Sequence, residues 1–210
     1  MRAGHEVRIV TVSREYGAGG GQLAAIVGER LGWRVVDRQL LEQVAQRLQA
    51  TPAEIQLMDE SIGGLLERLL KVFRRGAPEF VFSSEPLDPE AVARVEGEMI
   101  RAIAESPPAV IVGRGAQCLL SGRPEVLHVR VVAPLEIRAA RIAESLAIPV
   151  PEARAQTIRL DAERVRYVRH HFRCELNEPQ LYDLQVNTGA IAVEEAAGIV
   201  LGIIGRTRSG

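Results

Sequence analysis

Lysine is almost missing from this chain. Lys71 is the single one in 210 residues, although Lys and Arg together number 26. Positive charge therefore rests on arginine, which suits bidentate contact with phosphate but follows equally from genome composition. Cysteine is scarce as well. Cys118 and Cys174 are too few for a disulfide framework or a zinc cluster. They read as ordinary thiols of a reducing compartment, with Cys118 buried in an apolar stretch. No apolar run approaches the roughly 18 residues of a membrane span, and no signal-like hydrophobic segment stands before the first strand, so the expected location is cytoplasmic. A formal net charge of -1 gives no general pull toward nucleic acid or an anionic membrane. With 47% hydrophobic and 25% charged residues, the chain has the composition of one globular domain, residues 1–210, with room for a small lid.

What the chain does have is a glycine cluster in a telling place. Val7 to Val12 is a β-branched run, read as a strand. Ser13-Arg14-Glu15-Tyr16-Gly17-Ala18-Gly19-Gly20-Gly21 follows, and from Gln22 to Leu31 apolar residues recur with helical spacing up to a stop at Gly32. Strand, glycine loop and helix make a phosphate-binding layout, because glycines let backbone N–H groups approach an anion and the helix start adds unpaired donors. A flexible glycine turn is the other reading. The standard G-x-x-x-x-G-K-[ST] loop ends in a lysine and a hydroxyl. Aligned on Gly19, those places hold Gly20 and Gly21, and Arg14 stands at the first-glycine place. Arg14 is thus the nearest side-chain cation.

Further strands are expected at 34–37, 109–112, 126–132 and 183–187. Helices are expected over 39–48, from Thr51, over 62–75, over 89–104 with a stripe of Val92, Val95, Met99 and Ile103, from Pro134, over 151–172 as one helix or a pair, and over 193–204. Ile62 to Arg75 is amphipathic and suits a movable arm, a dimer contact or a core helix. Residues 76–89 read as a loop. Strands alternating with helices predict an α/β fold, a five-stranded parallel sheet with helices on both faces. Asp37, at a strand end, either caps the next helix or meets a ligand. Arg138 and Arg141 share a helix face, which by itself reads as a solvated surface. His170 and His171 are adjacent and point apart on a helix, so no metal site is expected. The basic run from Arg154 to His171 is read as a solvated face, with a nucleic-acid stripe as the minor alternative.

The stretch Ser13 to Gly20 resembles the loop of the cytidylate-kinase-like family, lysine-less relatives of the nucleoside monophosphate kinases. Gly113-Arg114-Gly115 resembles that group's Gly-Arg-Asp, with Gly115 in place of the acid. Asp37 matches the acid of an Asp-Ser-Gly run, with Arg38 and Gln39 replacing the other two. Asp161-Ala162-Glu163-Arg164 is similar to its Asp-x-x-Arg, Thr157 standing where an earlier arginine would be. Tyr182-Asp183-Leu184 and Asn187-Thr188 also fit. The resemblance implies a P-loop nucleoside triphosphate hydrolase type of fold with a helical lid near 144–175 and an acceptor arm near 50–90. It implies ATP and magnesium, the latter carried by the nucleotide or held by Ser13, Asp37 or Asp161. It implies catalytic Arg14, Arg138 and Arg141. Donor contacts would come from Ser13, Gly17, Ala18, Gly19, Gly20 and Gly21, and acceptor contacts from Asp37, Arg38, Arg114, Asp161 and Arg164. The expected activity is phosphoryl transfer from ATP to a nucleoside monophosphate, cytidylate first. The alternatives are a silent nucleotide- or phosphate-binding protein of the same fold and, more remotely, an RNA-associated module.

Overall fold

The computed structural model describes residues 5–37 and 89–208. The expected helices within 39–75, the loop over 76–88 and the candidate Arg38 lie outside the described residues.

Five short strands form one parallel sheet: β1 Ile9–Arg14, β2 Arg34–Val36, β3 Ala109–Val112, β4 Val126–Val132 and β5 Leu184–Asn187, in the order β2-β3-β1-β4-β5. Helices follow in the sequence α1 Gly20–Leu31, α2 Pro89–Glu105, α3 Ala116–Leu119, α4 Leu135–Leu146, α5 Val150–Phe172 and α6 Val193–Arg208. Register is direct: Ile9 pairs with Ala109 on one side of β1 and with Val126 on the other. Strand period two then sorts the side chains. Val10, Val12, Val129 and Val131 meet Leu23 and Val27 of α1 and Val200 and Ile204 of α6. Ile9, Ile111 and Val126 meet Ile100 and Ile103 of α2 and Leu120 beyond α3. The same second face carries four polar residues on the central strands, Thr11, Ser13, His128 and Arg130, all buried.

Local signals explain the ends. Gly32 takes φ 65° after α1, its N–H bonding Glu29 O while Trp33 N–H bonds Gly28 O, the left-handed stop that glycine favours. Two helix stripes hold and are widened. On α2 Met99 and Ile103 are buried as expected, Val95 is partly buried, and Ala93, Glu96 and Ile100 join the core side. On α6 Val200 and Ile204 are buried, whereas Ile199 is 44% exposed and Ala196 and Ala197 complete the buried face. Small residues let α6 lie close to α1, an effect that hydrophobicity counting misses. The 151–172 segment is one helix, and it packs along α4 as an antiparallel partner.

The cysteines need correction. Cys118 and Cys174 are bonded to each other, with Cα atoms 6.3 Å apart across 56 residues of sequence, and both are half-buried. The chain runs out along α4 and returns along α5, ending beside α3, so two sequence-distant thiols meet. Spacing alone cannot show that pairing, and it removes the thiol argument for a reducing compartment. Among the described residues no helix is long and apolar enough to cross a membrane.

Candidate active site

The glycine loop leaves the C-terminal end of β1, where neighbouring connections diverge toward β3 and β4. Crevices at such a reversal of strand order are where open parallel sheets bind ligands. Gly17 and Gly19 take φ 78° and 80°, and α1 starts at Gly20 without a side-chain cap and without an acid in its first turn. The helix dipole and the first N–H groups are therefore left to an anion. The loop is held from behind. Glu15 N–H bonds Val131 O at 3.0 Å, Thr188 Oγ1 donates to Ala18 O at 2.8 Å, and Asp161 Oδ1 accepts Tyr16 N–H at 2.7 Å.

Arg138 lies beneath this loop. Its Nε donates to Ala133 O at 2.8 Å and its Nη1 to Tyr16 O at 3.0 Å. Asp161 and Glu15 pair with the same guanidinium. Arg141 donates to Thr188 O at 2.7 Å and to its Oγ1 at 3.2 Å. Both arginines are thus engaged by protein in this state. Asp161 faces the loop and Arg138, while Arg164 reaches Arg14 O at 3.3 Å and lies over the Tyr16 ring at 5.3 Å.

Beside the loop is a cavity of about 350 Å³ lined by Arg14, Arg114, Gln117, Arg164, Tyr167 and Leu176 among others. Arg14 crosses it. A Cβ built on Gly20 would meet the Arg14 Cβ at 2.5 Å, and one built on Gly113 would overlap its Nη1. Glycine at 113 thus makes space for the arginine that joins loop to cavity. Gly113, Arg114 and Gly115 all have positive φ, 76°, 56° and 67°, a turn unfavourable for Arg114. The Arg114 Nη2 pairs with Glu96 Oε1 at 2.8 Å, Tyr167 donates to Glu96 Oε2 at 2.8 Å, and Arg114 sits 5.0 Å from the Tyr167 ring centre. Burial, and then the Glu96 charge, push the Tyr167 phenol well above its ordinary pKa. Asp37 is exposed at the end of β2. Ser13 also lies in the cavity wall, and its Oγ accepts from Arg130 Nη1 and Tyr182 Oη, so its hydroxyl already meets a cation. Among the described residues no three His, Cys, Asp or Glu side chains are grouped to hold a metal.

A model of the cytidylate kinase-like family matches residues 9–190. The chain belongs to that family. It is 28% identical over 117 residues to a cytidylate kinase of Desulfurococcus amylolyticus, covering 56% of this chain and 63% of that protein. It is 35% identical over 81 residues to a cytidylate kinase of Sulfolobus acidocaldarius, covering 38% and 44%. The matches thus span under two thirds of either relative's length. An uncharacterized protein from Eubacterium ventriosum superposes with a TM-score of 0.68 at 20% identity, covering 94% of this chain and 98% of that one. A shikimate kinase from Bacteroides thetaiotaomicron gives 0.51 at 14% identity, covering 94% and 98%. The fold is therefore that of the P-loop kinases. Within the cytidylate kinase-like family, the glycine at 115 has a local cause: a Cβ there would run into the Phe172 ring of α5.

Three features escaped sequence reasoning. Glu96 is 0% exposed inside a helix stripe. Gln117 lies in the cavity wall. Arg130, 5% exposed, donates to Ser13 Oγ at 3.0 Å, Asn177 Oδ1 at 2.8 Å and Tyr182 Oη at 3.4 Å, all neutral oxygens. A signal for Arg130 was present, since His128 and Arg130 alternate with apolar neighbours in β4 and so share one face.

Proposed function

We propose that the protein transfers a phosphoryl group from a nucleoside triphosphate to a nucleoside monophosphate, with cytidylate as the first acceptor to test. The observation that carries this reading is the meeting of two sites at Arg14: an uncapped glycine loop on one side, an arginine-lined cavity on the other. Phosphoryl transfer asks a protein mainly for position and for charge on the transferring group. The N–H groups of Gly17 to Gly21 bind donor phosphates. Arg14 bridges toward the acceptor, and Arg114 and Arg164 orient it. Arg138 and Asp161 fix the loop's shape, and Arg141 fixes Thr188 behind it. The α4–α5 hairpin serves as the lid of a single domain. Magnesium, when bound, neutralises phosphate charge; the described residues suit a metal delivered on the nucleotide, with Asp37 an exposed carboxylate at the end of β2.

The test is ADP release from ATP across a panel of nucleoside monophosphates, with Arg14→Ala as the control against a contaminating kinase. Stimulation by CMP or dCMP, falling about 10²–10³-fold in the variant, is expected for loss of one such charge. A second reading, a silent nucleotide binder, is favoured by the missing loop lysine and by the engagement of Arg138 and Arg141 with protein. Triphosphate binding with no stimulation by any acceptor selects it.

A further inference from the structure

Gln117 is 2% exposed, and its Nε2 has no hydrogen-bond partner, yet the residue lines the arginine-rich cavity. Its place follows from the fold. The left-handed turn at Gly115 starts α3, Ala116 and Leu120 take the core side, and Gln117 between them is part of the cavity wall. A buried amide N–H group without an acceptor destabilises the free protein, and leucine or methionine would fill the same volume without that cost. An amide kept there at a cost points to a ligand atom that satisfies it.

The surroundings narrow the atom. Nε2 can only donate, so its partner bears a lone pair. Phosphate oxygens in the same cavity are contested by Arg14 and Arg164, and charged donors win that contest. Glu163, the acid of the cavity wall among the described residues, is tied to Arg159 at 2.7 Å. What remains for Gln117 is a neutral acceptor. We infer that Gln117 is a specificity-determining residue that reads the base of the acceptor nucleotide, selecting one that presents a ring carbonyl or an unprotonated ring nitrogen. This rests on the reading of the cavity as a nucleoside monophosphate site.

The experiment compares CMP with ribose 5-phosphate, which keeps the charge and lacks the base, against wild type, Gln117→Met and Gln117→Glu by calorimetric titration. Gln117→Met is expected to bind CMP about 10- to 100-fold more weakly, to bind ribose 5-phosphate as wild type does, and to melt at a higher temperature when free. Gln117→Glu, which keeps the shape and removes the donor, repeats the CMP loss should the methionine variant fold poorly. Unchanged CMP affinity in both variants means that a trapped water satisfies the amide, and overturns the inference. Equal loss for CMP and ribose 5-phosphate overturns it too, by placing Gln117 at the phosphate or in the cavity's shape. Wild type binding neither compound refutes the nucleotide reading itself, and the inference falls with it.

Discussion

Opening the Cys118–Cys174 bond tests how the two halves of the cavity wall are joined. The bond closes 56 residues of chain containing β4, α4 and α5. In the chain-entropy account, a loop of that length restricts the unfolded state by about 14 cal/mol/K, or about 4 kcal/mol at 25 °C. Native contacts survive reduction, because Phe172 still packs on Gly115 and the Arg114–Glu96–Tyr167 cluster still ties α5 to α2. The loss thus falls on the unfolded state. A chain of this size shifts by roughly 2–4 °C per kcal/mol, so melting should drop by about 8–16 °C with a phosphine reductant. The Cys118→Ser/Cys174→Ser double variant should melt at that lower temperature with or without reductant. Thiol titration should find no free thiol in the folded protein and two after reduction. A melting temperature unmoved by reductant, with two thiols titrating in the untreated protein, would refute the reasoning.

Other expectations follow from single sites. Glu96→Ala leaves Arg114 in a buried site without its carboxylate, and a loss of about 3–5 kcal/mol is expected in urea unfolding. His128 is held below its ordinary pKa by burial, against an opposing pull from Asp183. The native state therefore binds fewer protons than the unfolded chain below about pH 6.5, and stability should fall as pH drops through that range. His128→Gln should flatten the slope. Gly19→Val forces a β-branched residue to φ 80° with its Cβ 2.7 Å from Val193 Cγ2. It should abolish measurable ATP binding and cost roughly 1–3 kcal/mol of stability, whereas Gly21→Ala, with nothing within 4 Å, should fold at least as well as wild type.

The sheet was readable because its central strands β1, β3 and β4 are rich in β-branched residues and are bounded by glycine and proline. The strands 109–112 and 126–132 stand where they were expected, and β1 is displaced toward the loop by two residues. The loop was readable for the same reason, since glycines needed for positive φ are visible as letters. Electrostatic partnership was not. Arg138 and Arg141 looked like free cations because their partners, Asp161 and Thr188, lie 23 and 47 residues away. Glu96 gave no signal because its compensating arginine comes from the turn after β3. Helix α3 is a single turn, too short for a periodic signal.

Asp161 sits on α5, yet it accepts the Tyr16 N–H of the phosphate loop and pairs with the arginine beneath it. One carboxylate is therefore shared by the glycine loop and the helix that walls the cavity. Any cavity ligand that displaces α5 must carry the loop along or break those bonds, and a triphosphate that settles the loop settles α5. Two ligands joined through one such element cannot bind as strangers. By thermodynamic reciprocity, whatever factor the first adds to the second's affinity, the second returns to the first.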